Sequence, residues 1–155
     1  EIYTLSLHDA LPIWSAFSII YFCLSLGLFY ELGPTPSAFL ICPVYFFSRT
    51  LSALCAVTLP NARGGGMLYA FTAGKPRIAV RIVLVFSSAA AAALLLFMNC
   101  RTALFPIAIG LLVTIWYRRF TGRQFGGCTG DTAGFFLQLC ELMMLAGIVI
   151  GASLP

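Results

Sequence analysis

Apolar residues occur along this chain in five long runs, which short polar segments separate. The runs are approximately Trp14–Tyr30, Ser37–Leu59, Arg77–Met98, Thr102–Tyr117 and Thr132–Leu154. Several of them reach the roughly 20 residues that an α-helix needs to cross the hydrocarbon core of a bilayer. The pattern therefore predicts an all-α, polytopic membrane bundle with about five transmembrane helices.

The composition supports a membrane protein and argues against a nucleic-acid-binding protein. Charged residues make up 9% of the chain, apolar residues 61%, and the mean hydropathy is +0.99. In soluble domains about a quarter of the residues are charged. The net charge of +4 does not indicate nucleic-acid binding, because its cations flank apolar runs as anchors of membrane helices do. We expect membrane lipid around the protein and no nucleic-acid partner.

The cations also predict an orientation. Two longer connections, the first at residues 59–76 and the second at 118–131, contain or adjoin seven of them: Arg63, Lys75, Arg77, Arg81, Arg118, Arg119 and Arg123. The opposite ends of the helices receive only Arg101. Because positive charge concentrates in cytoplasmic loops, we expect both connections on the cytoplasmic side of a bacterial inner membrane.

The first residues differ in character from the rest of the chain. Glu1 to Ile13 resembles a sequencing adapter translated in frame, so we expect residues 1–14 to be non-native and residues 15–155 to form the transmembrane domain. His8 is the only histidine, so the residues of this sequence alone cannot form a His-dependent triad or a multi-histidine metal site. The six cysteines are scattered without a Cys-x-x-Cys pair, so neither a disulfide framework nor a zinc site is expected.

The second connection has the composition of an anion-binding site. Arg118, Arg119 and Arg123 precede Gly126-Gly-Cys-Thr-Gly-Asp131, where the last apolar run begins. Glycines admit a ligand close to the backbone, and a helix start presents unpaired N–H groups that bind phosphate. Thr129 or Asp131 can cap this helix. The alternative interpretation is a flexible turn, a capped helix and arginines that only anchor the protein.

One face of the last helix is polar. At about 100° per residue, Asp131, Gly134, Gln138 and Glu141 fall within a stripe about 80° wide, which we call the polar stripe. A carboxylate that faces lipid is costly, so the polar stripe must face the bundle or a wet cavity. Arg49 lies at a depth similar to that of Glu141. We therefore hypothesise a buried ion pair between them; the alternative keeps either side chain available to a substrate.

The first connection contains a second, weaker candidate for anion binding. There Arg63 precedes Gly64, Gly65 and Gly66. Many membrane loops contain arginine and glycine, so the motif gains weight only from its predicted place beside the second connection.

These motifs resemble those of a known family. Phe125-Gly-Gly-Cys-Thr-Gly-Asp131-Thr-Ala-Gly134 with Glu141 is similar to the Gly-Gly-x-Thr-Gly-Asp-x-x-Gly signature and acidic helix of the cobalamin synthases, or adenosylcobinamide-GDP ribazoletransferases. Ser48-Arg49-Thr50 and Arg63-Gly-Gly-Gly66 follow in the family's order and spacing. The resemblance covers about Ser15 to Leu154.

The resemblance implies an activity and a set of site residues. The family joins adenosylcobinamide-GDP and α-ribazole, or its phosphate, to give adenosylcobalamin, or its phosphate, and GMP. Catalytic roles are implied for Asp131 and Glu141. Substrate contacts are implied for Arg49, Arg63, Gly64, Gly65, Arg118, Arg119, Arg123, Gly126, Gly127, Thr129 and Gly130.

The chain departs from the family in two respects. Gln138 stands where the family usually has an acidic residue. The Asp-rich motif that is thought to hold Mg²⁺ in the family's N-terminal half has no counterpart in this chain, so we assign no metal ligand here. We expect the Mg²⁺ ligands mainly outside the chain, which would then be the C-terminal part of a larger enzyme and inactive alone.

Two other functions remain open from the residues. One is a different membrane phosphotransferase that acts on a nucleotide-activated alcohol. The other is a small transporter subunit, which predicts helices broken near a midplane site, with Pro43, Pro106 and Glu141 as candidates. Either protein, like the cobalamin synthase, can be a homo-oligomer.

Overall fold

The computed structural model describes residues 2–33, 35–60 and 77–153, nearly all of which are helical. Five α-helices follow in chain order with one 3-10 helix, Pro36–Leu40, before the second: α1 Ile2–Leu32, α2 Ile41–Thr58, α3 Arg77–Met98, α4 Cys100–Gln124 and α5 Gly130–Ser153. Helix α5 contacts α1, α2 and α4, while α3 packs against α2 and α4. The predicted helical bundle is confirmed, with α5 at its centre.

Four stretches of the described chain are long and apolar enough to cross a membrane. They are Pro36–Thr58, Ile78–Met98, Cys100–Gln124 and Gly130–Ser153, and Ala16–Leu32 forms a shorter apolar helix. This arrangement agrees with the five predicted apolar segments. The origin of residues 1–14 stays a prediction, because the helical conformation of α1 from Ile2 onward is compatible with either origin.

Helix α4 is longer than the sequence predicts. The predicted segment ends at Tyr117, whereas the helix continues to Gln124. Apolar composition marks the edge of the hydrocarbon layer, and a helix can continue beyond that edge because arginine is a good helix former. The predicted second connection is therefore wrong over residues 118–124, and only residues 125–129, the α4–α5 turn, connect the two helices.

The prolines do not break the described helices. Pro43 is a possible kink in the predicted segment from Ser37 to Leu59, but α2 begins at Ile41, so Pro43 lies in the first turn, where its missing N–H is tolerated. Helix α4 continues through Pro106. The broken helices that the transporter alternative predicts do not occur within α2 or α4.

Helices α4 and α5 approach each other closely through glycines. A Cβ atom added to Gly151 would lie 3.0 Å from the carbonyl oxygen of Thr102, and one added to Gly147 would lie 3.2 Å from the backbone nitrogen of Pro106. Gly147 and Gly151 are spaced as in a small-x-x-x-small motif, which brings helix backbones together in membranes. The core side chains beside them on α5, such as Met144 and Ile148, are completely buried.

The two predicted connections start from the same end of the bundle. The backbone N–H of Cys128 donates to the carbonyl of Pro60 at 2.8 Å, which joins the α4–α5 turn to the end of α2. Nearby, Nη2 of Arg81 donates to the carbonyl of Val57 at 3.2 Å. We call this end the connection end. It is the end at which the sequence concentrates the cations.

Candidate functional site

The α4–α5 turn is held by a small buried network. The hydroxyl of Tyr117, a residue only 1% exposed, lies 3.2 Å from Sγ of Cys128 and donates to Oγ1 of Thr132 at 3.3 Å. Gly126 has a φ of +67°, which favours glycine, and nothing lies within 4 Å of the position of its Cβ. The turn is therefore fixed on its inner side and open on its outer side.

Two residues, Thr129 and Asp131, are predicted to cap helix α5, and Thr129 is the one that caps it. Its Oγ1 accepts the N–H of Thr132 at 3.3 Å, and Oγ1 of Thr132 accepts the N–H of Thr129 at 2.9 Å. The carbonyl of Thr129 also accepts the N–H of Ala133 at 3.0 Å. These reciprocal bonds occupy the Thr129 hydroxyl, for which the sequence predicts a substrate contact.

Removing this cap gives a first testable prediction. Thr129→Ala is expected to lower the free energy of unfolding by about 1 kcal/mol, because the N–H of Thr132 loses its acceptor. Titration with a denaturing detergent measures the loss, and Thr129→Ser, which keeps the hydroxyl, should stay close to the native value. Equal stability of the Ala and Ser variants would show that the cap contributes nothing.

A polar cleft opens between α1 and the start of α5. It has a volume of about 330 Å³ and is lined by Ser18, Gly130, Asp131, Gly134, Phe135 and Gln138. Three of the four polar-stripe residues line it, so the stripe faces a cavity, as the sequence predicts. The rings of Phe17 and Phe135, 5.4 Å apart, pack α1 against α5 beside this cleft. We call it the polar cleft; its volume is within the range of small-molecule sites.

The fourth residue of the polar stripe, Glu141, lies just beyond the inner end of the polar cleft. It is 2% exposed and accepts hydrogen bonds from three side chains on two other helices. The hydroxyl of Tyr21 donates to Oε2 at 2.8 Å, the hydroxyl of Ser48 donates to Oε1 at 3.2 Å, and Nε of Arg49 donates to Oε1 at 3.1 Å. The carboxylate thus joins α1, α2 and α5 at one point.

The hypothesised ion pair between Arg49 and Glu141 is present, although only one partner is buried. The side chain of Arg49 is 62% exposed, against 2% for Glu141. The carboxylate of Glu141 lies next to the positive charge of Arg49 and accepts hydrogen bonds from three donors, as a buried charge requires. The exposure of Arg49 means that pairing with Glu141 and contact with a ligand are compatible.

The arginines at the end of α4 do not share one direction. The buried face of its last turns contains Thr114, Tyr117 and Thr121. At about 100° per residue, Arg119 and Arg123 project about 160° away from this face, whereas Arg118 projects about 65° away from it. All three are exposed. The substrate contacts predicted for Arg119 and Arg123 stay predictions, because both residues project from the outer face of α4.

The remaining predicted residues divide between the exposed turn and the first connection. Gly126 and Gly130 are exposed and Gly127 is buried. Arg63, Gly64 and Gly65 lie outside the described residues, so the second predicted anion-binding loop remains a prediction.

The sequence interpretation missed Ser18 and Tyr21 on α1. Spaced three residues apart, they lie on one face of that helix and meet the polar stripe in turn, Ser18 at the polar cleft and Tyr21 at Glu141. The spacing is only a weak signal, because Ser15, Ser25 and Tyr30 are further hydroxyl side chains in the same run. Pairing them with α5 requires knowledge of which helices are neighbours.

The described residues do not form a magnesium site. No three His, Cys, Asp or Glu side chains among them lie together so that they could hold a metal ion. The two carboxylates of the polar stripe have different surroundings, since Asp131 is exposed at the polar cleft and Glu141 is enclosed by its donors. Mg²⁺ is commonly held by one or two carboxylates together with substrate phosphates, so Asp131 by itself supplies at most one of its ligands.

Comparison with known proteins decides the family. The family model described as cobalamin-5-phosphate synthase matches residues 15–149, which include the polar stripe and the helices that surround it. The chain belongs to the cobalamin-5-phosphate synthase family. The resemblance predicted from the Gly-Gly-Cys-Thr-Gly-Asp131 segment is confirmed, and the chain is a multi-pass membrane protein.

Three relatives of this chain share the name adenosylcobinamide-GDP ribazoletransferase. Those from Lachnoclostridium phytofermentans and Azorhizobium caulinodans are 32% and 34% identical to this chain, over 90% and 78% of it. A relative from Pseudomonas putida strain W619 is 36% identical over 59% of it. The chain covers 54%, 46% and 36% of these three relatives, respectively, which is about half of their length or less. No solved structure matches the chain.

Proposed function

We propose that the protein to which this chain belongs joins adenosylcobinamide-GDP with α-ribazole, or its phosphate, and releases GMP. The relatives are named for this reaction, which supports the proposal. The observation that carries the proposal for this chain is the polar cleft, which opens at the connection end and is lined by a helix within the family match. We further propose that the connection end faces the cytoplasm of a bacterium and that the membrane is its inner membrane.

The composition of the polar cleft favours one of the two substrates. In this reaction α-ribazole attacks a phosphorus of adenosylcobinamide-GDP, and GMP departs. None of the described lining residues is cationic, and one of them, Asp131, is a carboxylate. A diphosphate needs opposing positive charge, whereas unphosphorylated α-ribazole does not. We propose that the polar cleft receives α-ribazole.

Asp131 is the residue that we propose to act on the attacking group. It lies in the first turn of α5, at the mouth of the polar cleft. A carboxylate there can accept a hydrogen bond from a hydroxyl of α-ribazole and take up its proton as the bond to phosphorus forms. Gly130 and Gly134 beside it line the same cleft without adding bulk, which lets the ligand approach the helix closely.

Glu141 has a different proposed role. The three hydrogen bonds that it accepts leave it enclosed, and they hold Tyr21 and Arg49 beside it. We propose that Glu141 positions these two side chains without contacting substrate. Arg49, which is largely exposed, can then still approach a phosphate oxygen.

The diphosphate requires positive charge from elsewhere. Among the arginines at the end of α4, Arg118 is the closest in direction to the packed face of the helix, so we propose it for a phosphate contact. Arg63 with Gly64 and Gly65 is proposed for the same purpose. The ligands of Mg²⁺ are proposed to lie mainly in the part of the relatives that this chain does not cover.

The experiment that tests the function replaces Asp131 in a full-length member of the family. Asp131→Asn is expected to lower kcat at least about tenfold, because an amide cannot accept the proton of the attacking hydroxyl. Formation of the joined product, adenosylcobalamin or its phosphate, in reconstituted vesicles measures turnover, and GMP release is followed separately to detect hydrolysis. The thermal stability of Asp131→Asn is measured beside its turnover, because a carboxylate in the first turn of α5 also stabilises the helix.

A matched carboxylate serves as the control. Glu31 is also exposed but lies at the opposite end of α1, so Glu31→Gln should keep full turnover. Unchanged turnover in Asp131→Asn would remove Asp131 from the reaction. Hydrolysis of adenosylcobinamide-GDP at the native rate without joining would instead place Asp131 at the α-ribazole site only.

A further inference from the structure

An apolar groove lies on the outer surface of the bundle between α4 and α5. It has a volume of about 360 Å³ and is lined by Leu112, Val113, Trp116, Leu139 and Met143. Trp116 and Met143 are 47% and 45% exposed, so the groove is not covered by the described residues. A concave apolar surface of this kind can hold an acyl chain in place.

The groove continues into a pair of cations along the same face of α4. Leu112, Trp116, Arg119 and Arg123 are spaced by four, three and four residues, which places them within an arc of about 60°. The two apolar members line the groove, and the two arginines follow toward the connection end. The face therefore changes from apolar to cationic in the direction in which a lipid changes from acyl chain to headgroup.

The depth of this face in the membrane agrees with the same polarity. Helix α4 has 25 residues, so it is about 37 Å long, against about 30 Å for the hydrocarbon core. Its last turns therefore extend into the layer of lipid headgroups. The length of α4 is enough to bring Arg119 and Arg123, in its last two turns, to the level expected for lipid phosphates, whose oxygens arginine can bind.

Aromatic rings lie at the boundary between the apolar groove and the two arginines. The rings of Trp116 and Phe120 stack at 5.1 Å with an interplanar angle of 10°, and Phe125 meets Phe120 edge-on at 6.0 Å. Tryptophan is enriched where hydrocarbon meets headgroups. The stack fixes Trp116 as a wall of the groove beneath the arginines.

From these observations we propose that the groove and its two arginines form a binding site for one phospholipid with an anionic headgroup. An acyl chain occupies the groove, and the headgroup phosphate lies between Arg119 and Arg123. A zwitterionic lipid carries a positive group as well as the phosphate, so it gains less from two arginines. The site does not depend on the reaction proposed above.

Quenching of Trp116 fluorescence tests the site. The full chain with Trp14→Phe is reconstituted in vesicles that contain either brominated phosphatidylglycerol or brominated phosphatidylcholine at the same mole fraction. Each arginine near the surface is expected to favour the anionic lipid about fivefold. Stronger quenching by the anionic lipid is the expected result, and equal quenching by the two lipids would overturn the proposal.

Two variants separate a defined site from general attraction to a charged surface. Arg119→Gln/Arg123→Gln should lose the preference for phosphatidylglycerol, whereas Arg118→Gln should keep it, because Arg118 lies about 130° from the centre of this face. Met143→Phe fills the groove, keeps both arginines and should weaken quenching by the anionic lipid. Loss of the preference in Arg118→Gln, or undiminished quenching by the anionic lipid in Met143→Phe, would contradict a site.

The possible role of the two arginines in substrate binding has its own readout. Binding of adenosylcobinamide-GDP in a neutral detergent is compared between a native full-length member of the family and its Arg119→Gln/Arg123→Gln variant, with loss of the lipid preference in the variant as the expected result. A loss of this binding together with an unchanged lipid preference would assign the arginines to the nucleotide and overturn the proposal.

Discussion

Replacing Arg49 with Met is expected to lower the free energy of unfolding by about 3 kcal/mol, because it leaves the buried carboxylate of Glu141 without an opposite charge. Tyr21 and Ser48 would still donate hydrogen bonds, but neither hydroxyl carries charge. Titration of the reconstituted chain with sodium dodecyl sulfate measures the loss.

The two members of this ion pair should not be equivalent. Glu141→Gln removes the buried charge and leaves Arg49, which is 62% exposed, able to interact with its surroundings. We therefore expect Glu141→Gln to cost about 1 kcal/mol, and its addition to Arg49→Met to restore most of the lost stability. Arg101→Met, at an exposed arginine on α4, should have no effect. A double variant that is no more stable than Arg49→Met would contradict the assigned pairing.

Replacing Gly151 with Leu is expected to destabilise the protein by about 2 to 3 kcal/mol, because α4 must move away from α5. A Cβ at this position would lie 3.0 Å from the carbonyl oxygen of Thr102 and 3.1 Å from its Cα, and backbone atoms cannot rotate away. The same detergent titration measures the effect. Gly151→Ala should already be destabilising, although alanine is the better helix former.

Gly134 is the matched control in the same helix. Nothing lies within 4 Å of the position of its Cβ, so Gly134→Ala should not lower the stability. Comparing the stabilities of these two glycine-to-alanine variants separates the effect of steric crowding from the effect of helix propensity. Equal losses of stability at Gly134 and Gly151 would show that the close approach of α4 and α5 does not determine the cost.

The sequence predicted those features of the fold that local rules decide. Apolar run length predicted the helices, and the cost of an unpaired charge in lipid predicted a partner for Glu141. Equal depth from the connection end was enough to select Arg49. The 100° period also predicted correctly that Asp131, Gly134 and Gln138 face a cavity.

Other features depend on relations between helices and were not predictable in the same way. Tyr21 reaches Glu141 only because α1 lies beside α5, and no pattern within α1 determines that neighbour. The predicted end of α4 was wrong because hydropathy reports the thickness of the hydrocarbon layer, not the residue at which the helix ends. The close α4–α5 packing was detectable, since Gly147 and Gly151 have the spacing of a small-residue motif.

The central position of α5 has a consequence for the order in which the bundle is assembled. This helix follows α1, α2 and α4 along the chain, yet it contacts all three. When Glu141 enters the membrane, Tyr21, Ser48 and Arg49 have already been synthesised, and they can receive its carboxylate at once. Among the described helices, α5 therefore completes contacts that α1, α2 and α4 leave open, with a carboxylate that is costly in lipid but stabilising between its partners.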